Sequence, residues 1–291
     1  MNPLVSICIP TYNGAKFIAE AMDSAIKQTY SNLEIVVSDD DSKDETLSII
    51  EAYKTKTSIP VSIYNHEPNG IGANWNNCLN KSKGDYVKFL FQDDIIDSTC
   101  IEKMVFQAVK NSEIGLVYSK RSFIYDENEK NEDWIQTYGN LHDNWFDLKI
   151  ECHKVYKGKG LLSNKNLFEI PKNKIGEPTA VLLKKEVFNK IGYFSTTLKQ
   201  SLDIEFWYRL MKFYSVVFIN EELVTFRLHN DQASAINANN YLSEEKLFNK
   251  QMYSTLFWNL HFKNKLMLFY DYNALGVFVK RVVNKLDRIG K

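Results

Sequence analysis

The feature that most constrains this chain is an alternation running through its first 120 residues, in which short apolar, β-branched segments take turns with stretches whose apolar residues recur at helical spacing. Continuous or period-2 apolar runs suit strands and a 3.6-residue period suits helices, so their regular exchange predicts βαβ units and a mostly parallel sheet. The expected strands are Leu4–Ile9, Glu34–Ser38, Val61–Asn65, Tyr86–Phe91 and Gly115–Ser119. Helices are expected between them, on Phe17, Ile18, Ala21, Met22, Ala25 and Ile26, on Leu47, Ile50 and Tyr53, on Trp75, Cys78 and Leu79, and around Met104–Val109. Asp44 stands where it would start the second helix, and Thr99 with Glu102 has capping-box spacing at the fourth.

From Arg121 to Lys174 the pattern weakens into a polar, Asn-rich stretch containing Trp134, Trp145 and the triplet Gly158-Lys159-Gly160. It reads as long loops and short elements broken at the glycines. Loops vary while a rigid sheet holds geometry, so recognition of a second ligand is expected here. Order returns at Gly176, with a strand at Ala180–Leu183, helices at Lys185–Ile191 and Asp203–Phe213, and strands near Val216–Ile219 and Val224–Leu228. Beyond Ser243 the pattern is helical. The expected organisation is one α/β domain in two halves, 1–120 and 121–235, followed by a helical extension over 236–291.

Ligands of an open α/β sheet bind beyond the carboxyl ends of its strands. Here the first strand exits into Pro10-Thr11-Tyr12-Asn13-Gly14, the second into Asp39-Asp40-Asp41-Ser42-Lys43-Asp44 and the fourth into Gln92-Asp93-Asp94. Turn and cap preferences account for any one of these clusters. Three at successive strand ends ask for more, because crowded carboxylates repel unless they share a cation or a hydrogen-bonding ligand. Carboxylate oxygens without soft ligands suit magnesium or manganese, completed by water and diphosphate oxygens. The absence of a P-loop or G-x-G-x-x-G argues against the usual kinase, GTPase and dehydrogenase readings. Lys+Arg and Asp+Glu both number 36, so no global field draws the chain onto nucleic acid. At 291 residues and 44% hydrophobic, the chain can bury a large core. Four scattered cysteines and the lack of a secretory segment lead to an expected cytoplasmic setting. No run of 18 apolar residues occurs, so any membrane link is expected to be peripheral.

Taken together, Ser6-Ile7-Cys8-Ile9-Pro10-Thr11-Tyr12-Asn13, the segment Glu34-Ile35-Val36-Val37-Ser38-Asp39-Asp40-Asp41 and the segment Gly84-Asp85-Tyr86-Val87-Lys88-Phe89-Leu90-Phe91-Gln92-Asp93-Asp94 resemble the large inverting glycosyltransferase family 2. The resemblance runs from Val5 to about His229. It implies the GT-A fold, a Rossmann-like, mostly parallel mixed sheet flanked by helices. It also implies transfer of a sugar, with inversion, from a nucleotide diphosphate sugar to a hydroxyl of a glycan or lipid-linked acceptor, with Mn2+ or Mg2+, as in cell-surface polysaccharide synthesis. A UDP-sugar is the favoured donor. The implied nucleotide-sugar rim comprises Pro10, Thr11, Tyr12, Asn13, Asp39, Asp40, Asn74, Trp75 and Asp93, with Thr11 and Asp39 facing the base and Asp93 the ribose. Asp94 would hold the metal. Two positions depart from the family pattern: Phe91 stands where the first acid of D-x-D falls, and Trp75 where many members carry an Arg near the base.

Leu202-Asp203-Ile204-Glu205-Phe206-Trp207 is similar to the family's E-D-x-x-x-W segment, with Leu202 replacing the first acid, and places Asp203 at the catalytic base. The chemistry calls for one positioned carboxylate to accept the proton of an attacking hydroxyl. A helix N-cap is the plainer reading of Asp203. Glu205 should pair with Arg209 one turn on. His229, after Thr225-Phe226-Arg227-Leu228, resembles a family R-x-H segment whose His reaches the metal or diphosphate; Glu177-Pro178-Thr179 resembles a stretch lining the acceptor side. Two other classes fit less of the sequence: a nucleotidyltransferase, which would need a Gly-rich phosphate loop after the first strand, and an inactive nucleotide-sugar or glycan-binding protein. At the C-terminus, Leu275, Phe278, Val279, Val282, Val283, Leu286 and Ile289 share one helical face and Lys280, Arg281, Lys285 and Arg288 the other. Such a helix either docks on the core or lies on an anionic membrane surface at the inner face of the cytoplasmic membrane.

Overall fold

The computed structural model describes residues 2–126, 128, 130–232 and 241–289, without the side chains of 241–243 and 285–289. In chain order its elements are β1 (Val5–Thr11), α1 (Ile18–Ile26), β2 (Leu33–Asp39), α2 (Thr46–Tyr53), β3 (Val61–Asn65), α3 (Ile71–Lys81), β4 (Tyr86–Phe89), β5 (Ile95–Ile96), α4 (Cys100–Ala108) and β6 (Ile114–Tyr125). There follow α5 (Glu132–Tyr138), β7 (Val155–Lys157), α6 (Gly158–Leu162), β8 (Val181–Lys184), α7 (Glu186–Ile191), α8 (Leu202–Met211), β9 (Ser215–Leu228), α9 (Tyr241–Leu256), α10 (Phe262–Tyr272) and α11 (Ala274–Ile289).

The sheet runs β3-β2-β1-β4-β8-β6-β9-β5, with β7 added antiparallel to β9. β3, β2, β1 and β4 are parallel, β8 is antiparallel to both β4 and β6, and β6 and β9 are parallel. Alternate side chains leave a strand on opposite faces. Val5, Ile7, Ile9, Leu33, Ile35 and Val37 therefore enter one core with α1, α2 and α4. Cys8, Val36, Val87 and Phe89 enter a second core with α3, α8 and α9. Burial on both faces is why these strands read as unbroken apolar runs. In α1 the buried Ile18, Ala21, Met22 and Ala25 recur at the spacing expected of one helix face.

Several local expectations are corrected. Pro10 and Thr11 are still strand residues, paired with Ser38 and Asp39. The two strands expected at Val216–Ile219 and Val224–Leu228 are one 14-residue strand, β9, whose register against β6 shifts near Ser119 and Lys120 instead of breaking. The loop expected from Arg121 begins later, because β6 continues to Tyr125. Gly158-Lys159-Gly160 opens α6 instead of breaking the chain: a Cβ at Gly158 would lie 2.2 Å from the Met211 carbonyl and 2.4 Å from that of Tyr214, so glycine permits a close approach. No capping box forms at α4, because Thr99 Oγ1 donates to Asp97 (2.5 Å) and Glu102 accepts from Thr29 (2.8 Å). Asp44 does serve the start of α2, accepting from the Thr46 N–H (3.0 Å).

The C-terminal helices close one side of the molecule only in part. Phe248, Met252 and Leu256 of α9 and Leu268 of α10 are buried in the second core. α11 packs against α10 and leaves Leu275, Phe278, Val282 and Val283 exposed, so the docking of this face on the core is not what the structure shows. The side chains of the last helix residues in the sequence pattern, Lys285 to Ile289, lie outside the described residues.

Candidate active site

The ends of β1, β2 and β4 are laced into one rim. Thr11 Oγ1 donates to Asp39 Oδ1 (2.9 Å), and the same carboxylate accepts from Ser42 N (2.8 Å) and Ser42 Oγ (2.6 Å). Asp39 is wholly buried, which a carboxylate tolerates when its oxygens are met by donors. Asn13, in the left-handed region at φ 47°, donates its N–H to Ser42 Oγ and accepts from Lys43 N, both at 2.8 Å. Gln92 binds the Tyr12 backbone twice, accepting from its N–H (2.9 Å) and donating to its carbonyl (3.1 Å). Tyr12 itself projects outward, 55% exposed. Gly14 leaves room for this contact, since a Cβ there would lie 2.3 Å from Gln92 Oε1 and push the Gln92 side chain aside.

Asp40 is buried against His66, whose Nδ1 lies 2.5 Å from Asp40 Oδ1. Burial pushes the Asp40 carboxyl above its ordinary range and the histidine opposes the shift. Nothing in the sequence around His66 announced this pair. Asn74 donates to the Thr11 carbonyl (3.2 Å), while its own buried side-chain oxygen has no hydrogen-bond partner among the described residues. Trp75 turns from the rim into the second core, 7% exposed, and stacks on Phe91 with ring centroids 5.0 Å apart. Trp75 and Phe91, two of the three positions that depart from the family pattern, thus face one another as an aromatic pair.

At the end of β4, Asp93 Oδ2 lies 3.0 Å from His229 Nε2. Asp94 is buried. Its Oδ1 accepts from Arg227 N (3.1 Å), and its Oδ2 has no hydrogen-bond partner among the described residues. Burial, then the charge of Asp93, holds the Asp94 carboxyl well above the usual range, with Thr179 lowering it. An orphaned, buried carboxylate oxygen is the donor a hard cation requires. Among the described residues, no three His, Cys, Asp or Glu side chains gather as a cage. The residues therefore fit a cation that takes one or two protein contacts and the rest from diphosphate oxygens and water, the habit of Mg2+ and Mn2+. His229 is paired with Asp93 through Nε2, and its buried Nδ1 has no hydrogen-bond partner among the described residues.

Asp203 lies in the first turn of α8, almost wholly buried, and accepts from Asn173 Nδ2 (3.0 Å) and Ile204 N (2.7 Å). It is not the N-cap. That position is Ser201, and the N–H groups of Lys199, Gln200 and Ser201 are taken by Glu244 of α9 at 3.2, 2.8 and 2.6 Å. Desolvation pushes the Asp203 carboxyl up to about 8, and the charges of Glu177 and Glu244 add to it. Glu177 also raises Asp94, so the strand-four carboxylate and the helix-eight carboxylate share one neighbour. Glu177 is held by Arg121 (3.1 Å), whose guanidinium lies over Phe123, Trp134 and Phe226. Asn173 also accepts from Ile175 N (3.0 Å) and Gly176 N (2.9 Å), so one side chain orders the loop and orients Asp203. The expected Glu205–Arg209 pair forms bidentately, at 2.8 and 2.7 Å, which removes Glu205 from proton transfer.

These strand ends and this sheet agree with known proteins. The chain belongs to glycosyl transferase family 2, whose sequence signature matches residues 6–192. It is similar to an uncharacterized glycosyltransferase of Rickettsia typhi, 31% identical over 235 residues, covering 80% of this chain and 66% of that relative. It is also similar to glycosyltransferase GlyG of Streptococcus pneumoniae, 26% identical over 228 residues, covering 78% and 71%. The chain thus spans a little under two thirds of the length of the Rickettsia relative. Its fold is that of S. aureus TarS residues 1–349 in complex with UDP-GlcNAc (TM-score 0.63, 19% identity, 92% of this chain and 71% of that one). It is also that of the mannosyltransferase PcManGT from Pyrobaculum calidifontis in complex with GDP-Man and Mn2+ (TM-score 0.58, 17% identity, 88% and 63%). The fold is therefore GT-A.

Proposed function

We propose that this chain is an inverting glycosyltransferase that moves a sugar from a nucleotide diphosphate donor, a UDP-sugar in preference, to a hydroxyl of a glycan or lipid-linked saccharide in surface polysaccharide synthesis. The observation that carries the reading is a pair of buried carboxylates, Asp94 with an Oδ2 that has no hydrogen-bond partner among the described residues and Asp203 held by Asn173. Inverting transfer needs one group at the leaving diphosphate and one at the incoming hydroxyl. Those are the two roles assigned here.

In this reading Pro10, Thr11, Tyr12, Asn13, Asp39 and Asp40 surround the nucleotide, Asn74 braces the rim through the Thr11 carbonyl, Trp75 acts from the core behind it through its stack on Phe91, and Asp93 takes the ribose. Asp94, with His229 beside it, holds the cation. Bound there, Mg2+ or Mn2+ supplies Lewis-acid stabilisation of the departing diphosphate. Asp203 accepts the proton of the acceptor hydroxyl as its oxygen attacks the anomeric carbon, and burial makes it a stronger base than an exposed carboxylate. The acceptor approaches along the cavity bounded by Tyr138, Ile170, Lys172, Asn173, Ile204 and Phe248, which adjoins Asp203 through Asn173 and Ile204. An aromatic wall with adjacent polar groups suits a saccharide, which presents an apolar ring face and a hydroxyl edge. The relatives' nucleotide sugars, UDP-GlcNAc and GDP-Man, support the donor class.

The test is donor turnover with a panel of UDP- and GDP-sugars, with manganese and with EDTA. Release of nucleotide diphosphate that requires manganese and Asp203 is expected. Tight donor binding with no turnover under any condition would favour a nucleotide-sugar-binding protein instead.

A further inference from the structure

The C-terminal hairpin stands apart from this chemistry and is unfinished as a surface. In α11, Leu275 is 64% and Phe278 63% exposed, and Val282 and Val283 stand open beside them. Between α10 and α11 an open groove is walled by Met267, Tyr270, Val279 and Val283. Large apolar side chains presented together to solvent mark a surface that something else covers. Gly276 shows why α11 holds this position: a Cβ there would lie 2.2 Å from the Phe269 carbonyl, so the two helices meet closely at their junction and the apolar flank is left facing out.

Charge says what covers it. The whole chain is formally neutral, yet residues 236–291 carry nine Lys and Arg against four Asp and Glu, a surplus of five positive charges balanced by an equal deficit in the rest of the molecule. Arg281 is exposed on α11, and Lys280 is engaged with Asp271 at 2.5 Å. A helix with an apolar flank, a cationic flank and low overall hydrophobicity is suited to lie in the plane of a bilayer interface, its apolar side among the acyl chains and its cations at anionic headgroups. Among the described residues no helix is long and apolar enough to cross a membrane, so the contact is lateral. We propose that the α10–α11 hairpin docks the protein on an anionic lipid surface through Leu275, Phe278 and Val282, with the basic flank of α11 setting the preference for negative headgroups. This proposal stands independently of the transferase reading.

The experiment is cosedimentation of the full chain with vesicles of phosphatidylcholine alone and of phosphatidylcholine mixed with phosphatidylglycerol, whose negative surface potential attracts basic segments. Binding to the anionic vesicles only, weakening as salt is raised, is expected. Leu275→Ser with Phe278→Ser should lower the bound fraction about tenfold or more, since both side chains leave water on docking. Arg281→Glu should weaken it less and flatten the salt dependence. These residues are exposed, so the melting temperature and donor turnover of each variant should match the wild type. Equal sedimentation of wild type and the double variant, or none with anionic vesicles, overturns the proposal. So does concentration-dependent self-association, read by light scattering, that the double variant abolishes while vesicles bind neither form; a second copy would then cover the face.

Discussion

Asp203 is where the site's chemistry is most exposed to test. As a general base it must be ionised, so single-turnover transfer at saturating donor should rise with pH through about 8, where burial has placed its pKa. Asp203→Asn keeps the shape and the contact with Asn173 but cannot take a proton. Transfer should fall by a factor on the order of 10² to 10⁴ while donor affinity stays nearly unchanged. The same raised pKa has a sign for stability. Between about pH 4, where an unfolded Asp ionises, and about 8, the folded chain keeps a proton that the unfolded chain releases, so stability falls as pH rises through this window. The melting temperature of Asp203→Asn relative to wild type should therefore climb from pH 5 to pH 8, and a constant difference would argue against a buried, proton-holding carboxyl. Asp94 gives a separate outcome. With its unpartnered oxygen removed, Asp94→Ala should bind nucleotide diphosphate in manganese no better than the wild type does in EDTA, as read by calorimetry. The residues at the strand ends were legible because parallel-sheet chemistry concentrates polar groups there. His66 and Asn173 were not. His66 meets Asp40 across 26 residues and Asn173 meets Asp203 across 30, and neither lies in a local pattern.

At the scale of elements, periodicity located α1 to α4, α7, α8, the C-terminal helices and β1 to β4, and missed α5 and α6 in the polar stretch and whatever depends on a distant partner. The N-terminus of α8 looked as though Asp203 would cap it. The cap position is Ser201's, and Glu244, 43 residues beyond it, takes the N–H groups of Lys199, Gln200 and Ser201 on the segment that enters the helix. A buried carboxylate accepting three backbone N–H groups orders the segment that leads into the helix carrying the base. Glu244→Ala should cost about 1.5–3 kcal/mol in urea denaturation, the range for hydrogen bonds to a charged group, and Glu244→Gln less. A cost within a few tenths would mean that water replaces the carboxylate freely. The Gly158 triplet shows the opposite error: by propensity a breaker, it opens α6 because only glycine fits against the Met211 and Tyr214 carbonyls. β5 and β7, of two and three residues, are too short for any period to reveal.

For the molecule as a whole, β8 binds the parallel half of the sheet to β6 and β9, so the two halves share one sheet. A fragment ending at residue 120 would leave β4 without β8 and β6 cut before Tyr125. It should not give a sharp unfolding transition, whereas circular dichroism and tryptophan fluorescence of the full chain should report one common transition for the sheet. A resolved, cooperative transition in the fragment would show that the halves fold separately. The sequence by itself determined the alternation of strands and helices, the polar strand ends and the amphipathic C-terminal helix, because each is written in residues a few positions apart, within reach of a 2.0 or 3.6 period. Only the tertiary structure decided that Trp75 and Phe91 stack, that Asn173 holds Asp203, and that the apolar flank of α11 faces out. Those relations join residues far apart in the chain, and their geometry exists only once the sheet has chosen its strand order and the helices have packed against it.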